Sequence, residues 1–146
     1  MVTILTAEVD ATGMYHSDVN TGFSGTVVNE ILVPRREDSV RPDQVQHQDP
    51  DGIVLYRVNG DCCCNVSRDC NSPIANIMDN YPGLIQVEAR LLRVGSPFRV
   101  GRTYRLPLLV HFYGPVERFE ELQSAIIDIF TNEGMRQHIR RPRLQN

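Results

Sequence analysis

Lysine is absent from this chain, and all 15 of its basic residues are arginine. A GC-rich genome favours arginine, but it would also raise alanine. Only five alanines stand beside ten isoleucines and nine asparagines, so codon usage is an incomplete account. Arginine offers a planar, weakly hydrated five-donor fork suited to interfaces and phosphates, where lysine offers a mobile point charge. A lysine-free chain also gives ubiquitin no side-chain amine. Both properties suit a protein that lives in an assembly or acts inside a foreign host cell, and they motivate the expectation of a viral or phage origin.

Long apolar runs are missing as well. No stretch approaches the roughly 18–20 residues of a membrane helix. Residues 1–10 carry no base, and they hold Glu8 and Asp10 where a secretory signal would be apolar. The expectation is a soluble, intracellular protein, in host cytoplasm or a virion if viral, with no membrane partner. Walker, G-x-G-x-x-G and G-x-S-x-G patterns are absent, which removes the commonest nucleotide-binding and serine-hydrolase signatures. His16-Ser17-Asp18 has the residue types of a triad, but adjacency in sequence is not triad geometry. Asp49-Pro50-Asp51-Gly52 opens like a calcium loop, yet Gly60 stands where its closing glutamate should be, so the segment reads as a turn. Asn65-Val66-Ser67 matches a glycosylation sequon, which matters only in a secreted protein. No catalytic motif remains, and a non-enzymatic protein is expected.

What is present fits one ordinary globular domain: 146 residues, 41% hydrophobic and 23% charged. The net charge of −3 hides an asymmetry, because residues 1–80 carry −7 and residues 81–146 carry +4. Either the two halves fold against each other and cancel, or they meet head to tail between subunits.

Residues 2–9 are rich in β-branched side chains and predict a strand, and a blurred alternation from Phe23 to Val33 predicts another. The stretch 34–52 is polar and cannot build a core, which marks it as a long functional loop or arm. Ile53–Val58 and Asp61–Val66 read as a hairpin turned by Asn59-Gly60 in type I′ geometry. Ser72 as cap and Pro73 at the first position start a short helix that Tyr81-Pro82-Gly83 ends. Residues 84–94 alternate cleanly. Tyr104, Leu106, Leu108, Val110 and Phe112 do likewise, with Pro107 predicting an edge or a bulge. Pro115 opens a longer helix with apolar residues at helical spacing, and Gly134 closes it. The expected fold is α+β: an antiparallel sheet or partly closed barrel of five to six strands, with a short central helix and a longer C-terminal helix packed on it. Residues 1–134 form the domain, and 135–146 form a basic tail.

Two constellations could carry function. Cys62, Cys63, Cys64 and Cys70 hold thiols, the usual zinc ligands. Consecutive residues on a strand face opposite ways, so a zinc site would need Cys62, Cys64 and Cys70 with a remote His47 or His111. A disulfide from Cys70 is the second option, and a set of small buried residues with no metal or other cofactor is the third. The arginines are the other group. Arg90, Arg93, Arg99, Arg102 and Arg105 occur without an intervening acid and with Phe98 and Tyr104 among them, and the tail adds Arg136, Arg140, Arg141 and Arg143. Such a basic hairpin suits phosphates and stacked single-stranded bases. It equally suits an anionic protein neighbour, or acids of this same chain. Arg35, Arg36 and Arg41 could make contacts from the 34–52 arm. The leading expectation is a structural subunit of a viral or phage particle (capsid, neck or tail) in a homo- or hetero-oligomer, contacting neighbours through 34–52, 95–102 and the tail. The alternative is a small nucleic-acid-binding or host-directed regulatory module that uses the hairpin, and a zinc module on the cysteines is a third reading.

Overall fold

The computed structural model describes residues 1–13, 28–37, 50–92, 98–100 and 103–140, with backbone alone at 13, 98–100, 103 and 104. Its strands are β1 (Val2–Gly13), β2 (Ile31–Arg36), β3 (Ile53–Arg57), β4 (Cys62–Val66), β5 (Gln86–Leu91), β6 (Phe98–Val100), β7 (Thr103–Gly114) and β8 (Ile139–Arg140). Its α-helices are α1 (Ser72–Asn80) and α2 (Phe119–Asn132). β7, β5, β2, β3, β4 and β1 pair in that order, and β1 returns to β7, so six antiparallel strands close a barrel. β6 extends from β7 and β8 from β1. The expected α+β architecture is therefore present, and the barrel is closed.

Closure follows from two long alternating strands. Leu5, Ala7, Val9 and Ala11 of β1 stand opposite Phe112, Val110, Leu108 and Leu106 of β7, and all eight are buried. Because successive residues face opposite ways, keeping that phase through Ala11 carries β1 to Gly13, beyond the expected end at residue 9. Ala7 and Ala11 opposite the larger Val110 and Leu106 help side chains fill the interior of a narrow barrel.

Pro107 lies neither at an edge nor at a bulge. It sits in β7, which pairs with both β1 and β5. Its carbonyl accepts the Leu92 amide at 3.0 Å, and in an antiparallel strand a residue's N–H and C=O face the same neighbour. Its missing donor therefore points at the residue just beyond the end of β5, where no ladder bond is lost.

The helices cover the end where β7 finishes. Phe130 of α2 meets Phe112 edge-on, with ring centroids 6.0 Å apart, and both rings are fully buried. A Cβ at Gly114 would stand 2.9 Å from Leu122 Cδ1, so glycine is what lets α2 approach. Pro115 precedes a 3₁₀ turn, Val116–Arg118, and α2 itself starts at Phe119. Ser72 is not the cap of α1: Asn71 holds that position, and the Ser72 hydroxyl donates to Glu133 at 2.8 Å, tying the two helices. The β3–β4 turn is not type I′ either, because Gly60 alone has positive φ, at 97°. The Gly60 amide reaches the Arg57 carbonyl at 2.9 Å, as in a three-residue loop whose last residue is left-handed. Residues 23–27 of the predicted second strand lie outside the described residues, and β2 runs three residues into the stretch read as a polar arm. No helix among the described residues is long and apolar enough to cross a membrane.

Candidate nucleic-acid interface

Strand register assembles the site. Arg35 pairs with Val54, Val54 with Asn65, Asn65 with Thr12, Thr12 with Arg105, and Arg105 with the backbone position of Phe98. Cross-strand partners project from the same face, so these positions form one row across the sheet. The rows that flank it, Pro34–Leu55–Cys64 and Val66–Ala11–Leu106, are buried, which makes this the outer row. With strands about 4.8 Å apart, Arg35 and Arg105 stand roughly 19 Å from each other along the surface.

At one end the Arg35 guanidinium lies over the Tyr56 ring, 5.5 Å from its centroid, and Arg35 is exposed. Such a pair leaves the guanidinium edge free to bind phosphate and offers a flat surface for a base. Among the described residues no carboxylate pairs with Arg35. Burial raises the Tyr56 phenol above its ordinary value, which keeps it neutral. Tyr56 also has exposed Val33 and Cys62 as its cross-strand partners, so a partly apolar patch adjoins the stack. In the middle, Asn65 and Thr12 are half-buried and bring hydrogen-bonding side chains to the row. At the far end Arg105 is held 3.0 Å from Asp69 and 3.5 Å from Asp10. The hydrogen bond from Ser67 and then the Arg105 guanidinium lower the Asp69 pKa, and Asp69 in turn raises that of Arg105.

Beside Arg105 lies an open cavity of about 290 Å³, lined in part by Glu8, Asp10, Asp69, Cys70, His138 and Arg140. The acids of α2 and its flanks, Glu117, Glu120, Glu121, Asp128 and Glu133, are exposed near the other ends of β1 and β7. Gly114 lies nine positions along β7 from Arg105, or roughly 30 Å of strand. These five acids therefore lie away from the row, while Glu8, Asp10 and Asp69 stand at its Arg105 end.

The arginines singled out in the sequence divide. Arg35 and Arg105 belong to the row. Arg36 is structural: it donates to the Gly52 carbonyl at 2.6 Å, to the Pro50 carbonyl, and to Asp79 at 3.0 Å, fixing where the chain returns to β3. Arg90 pairs with Glu88 at 3.1 Å, and Glu88 also accepts the Tyr113 hydroxyl at 2.9 Å. Arg140 lies 3.5 Å from Glu8 in β8, and Arg136 opens the 3₁₀ turn before it, so the start of the expected tail packs along β1. Arg41, Arg93, Arg102, Arg141 and Arg143 lie outside the described residues, as does the 95–97 part of the hairpin tip, and of Arg99 only the backbone is described. The Arg105 and Arg140 pairs join the basic half of the chain to its acidic half within one molecule, which uses charges that a head-to-tail contact would need.

The cysteines do not alternate. Register shifts between Leu55 and Tyr56, which pair with Cys64 and Cys62, so Cys63 is an extra, bulged residue. The bulge leaves Cys62 exposed and buries both Cys63 and Cys64. None of the four cysteines is in a disulfide, so Cys70 forms none. Among the described residues no three His, Cys, Asp or Glu side chains converge, so Cys62, Cys64 and Cys70 do not meet around an ion. Sequence reasoning missed Tyr56, Asn65 and Thr12. Their alternation within each strand was visible, but the register that brings them together was not.

No family model and no curated protein matches the sequence. Solved structures do match. The crystal structure of the HIRAN domain of human HLTF superimposes with a TM-score of 0.57 at 24% identity, covering 91% of this chain and 92% of that one. This chain shares the HIRAN-domain fold. The NMR structure of the HLTF HIRAN domain in its DNA-bound conformation matches with a TM-score of 0.52 at 23% identity, covering 91% and 93%. A protein from Lactobacillus plantarum matches at 0.51 and 16% identity, covering 77% and 98%. The expectation of a viral or phage particle subunit is overturned by these matches, because the fold is that of a domain solved in a DNA-bound conformation. Composition misled here: missing lysine describes surface chemistry and not ancestry.

Proposed function

We propose that this chain is a nucleic-acid-binding module, and not an enzyme, that lays a single strand across the outer face of β2, β3, β4, β1 and β7. The observation that carries the reading is the row itself: an arginine stacked on tyrosine, two neutral hydrogen-bonding side chains and a second arginine, aligned across five strands. Arg35 and Tyr56 supply a phosphate contact and a stacking surface. Asn65 and Thr12 bond to sugar or base edges. Arg105, fixed by Asp10 and Asp69, positions more than it attracts, because its charge is already offset. The hairpin arginines Arg93, Arg99 and Arg102, with Arg136, Arg141 and Arg143, add salt-dependent attraction, whereas Arg90 and Arg140, like Arg105, are offset by the carboxylates of Glu88 and Glu8. The shared fold with a DNA-bound HIRAN domain supports DNA as the first ligand to test.

Fluorescence anisotropy with a labelled single-stranded DNA and the matching duplex, across a salt series, tests this. The single strand is expected to bind more tightly. Tyr56→Ala should cost about 1–3 kcal/mol, roughly 5- to 150-fold, as for a lost base stack. Arg35→Ala should flatten the salt slope by about 0.7, the share of one single-strand phosphate. Replacing Arg99 and Arg102 with glutamate measures the contribution of the hairpin. No binding at low salt, or wild-type affinity in both Tyr56→Ala and Arg35→Ala, would refute the proposal.

A further inference from the structure

We propose that the cavity beside Arg105 is a base-reading pocket that favours a base carrying an exocyclic amino group, cytosine over uracil or thymine. The inference rests on the nucleic-acid reading above and adds what selects the strand. The cavity arises where β1 changes neighbours. On the edge away from β7, β4 pairs with residues 11–13 and β8 with Thr6 and Ala7, so among the described residues no strand covers positions 8–10. The gap is framed from two sides. The Ser67 amide donates to the Asp10 carbonyl at 2.8 Å, and His138 Nδ1 lies 2.9 Å from the Glu8 carbonyl. About 290 Å³ remains, with Val9 and Cys70 as the less polar part of its wall. Asp10 lies two residues along the outer face of β1 from Thr12, about 7 Å. A strand lying on the row therefore brings a base to the mouth of the cavity.

Its polar lining is rich in acceptors. Glu8, Asp10 and Asp69 contribute three carboxylates. Ser67 and Arg105 hold the Asp69 carboxyl below its ordinary value, which keeps it ionised. A carbonyl can only accept, so His138 Nδ1 carries the proton, and the neutral ring keeps Nε2 as one more acceptor.

Three carboxylates stand against two guanidiniums, Arg105 and Arg140, and one negative charge is left over. Beside a row that binds phosphate, that charge opposes binding unless it meets a donor. A cation held by these side chains is a poor answer, because among the described residues no three His, Cys, Asp or Glu side chains converge. Cytosine answers both signs: its N4 amino group donates to a carboxylate, and its phosphate meets the guanidiniums at the rim. Uracil and thymine place O4 where that amino group would be, so acceptor faces acceptor.

The test is fluorescence anisotropy at low salt and about pH 7.5 with a labelled dU tract and with the same tract carrying one dC, moved position by position. One position should tighten binding about fivefold or more, the lower end of what a base-edge contact supplies. Asp10→Asn and Asp69→Asn each replace an acceptor by an amide that also donates, and each should bring the dC-to-dU ratio at that position towards one. Both also loosen Arg105, which moves affinity for the two tracts together, so the ratio isolates the base contact. Circular dichroism confirms that each variant is folded. Equal affinity for every tract, with Tyr56→Ala still weakening all of them, overturns the pocket and leaves the row standing. A dC preference that survives both Asp variants also overturns it. No binding of any tract refutes the nucleic-acid reading and this inference with it.

Discussion

Cys70 makes the fold sensitive to alkali. Its thiol is 4% exposed, donates to the Ser67 carbonyl at 3.4 Å, and lies beside Asp10 and Asp69. Burial raises its pKa from 9.0 to about 11, with the two carboxylates adding to the shift and Arg105 opposing it. A raised acid pKa means that the unfolded chain gives up this proton first. The contribution is therefore whole below pH 9 and disappears as pH climbs from 9 towards 11. Two units correspond to about 2.7 kcal/mol. Urea unfolding near pH 7.5 and at steps up to about pH 11 measures it, and the informative quantity is the difference between wild type and Cys70→Ala. Cys70→Ala starts less stable at neutral pH but should lose about 2.7 kcal/mol less over the alkaline range. Parallel curves for the two proteins would refute the reasoning. Cys64 shifts in the same direction and is unchanged in the variant, so it cancels in the comparison.

Phe130→Ala removes the ring that closes the barrel end against Phe112 and should cost about 3–5 kcal/mol in chemical denaturation. Arg105→Ala should destabilise by only about 1 kcal/mol, because the Asp10 and Asp69 partners are 38% and 64% exposed and partly screened. In the same variant the Asp69 carboxyl, followed by NMR titration, should rise but stay below its ordinary value while Ser67 still donates to it. His111 is held below its ordinary value by burial and by Arg90, so it opposes protonation in the fold. Stability should fall as pH drops through about 6.5, and His111→Gln should lessen that fall.

Much of the architecture was legible because each strand states its own period. β5 and β7 alternate without interruption, α2 repeats its apolar residues at helical spacing, and Pro73 and Gly134 stand where helices begin and end. Pairing was not legible. Closure of β1 on β7 joins residues about a hundred positions apart, and no local signal reports it. Pro107 looked like an edge residue because a proline lacks a donor, but whether that donor was needed depends on where β5 stops. The cysteines looked alternating because a bulge is a property of two strands and the sequence was read one strand at a time. The site suffered most from this. Arg35 and Arg105 were on the page as arginines, while their alignment through Asn65 and Thr12, and the ring beneath Arg35, arise only from register across β2, β3, β4, β1 and β7.

The central claim is that nucleic acid binds the outer row. An NMR titration of the isotopically labelled protein with a short single-stranded DNA maps the contact residue by residue. The account predicts amide shifts concentrated at Arg35, Val54, Tyr56, Asn65, Thr12 and Arg105, with the helical face of α2 unmoved. Shifts centred on α2, or no shifts at a DNA excess in low salt, would contradict it.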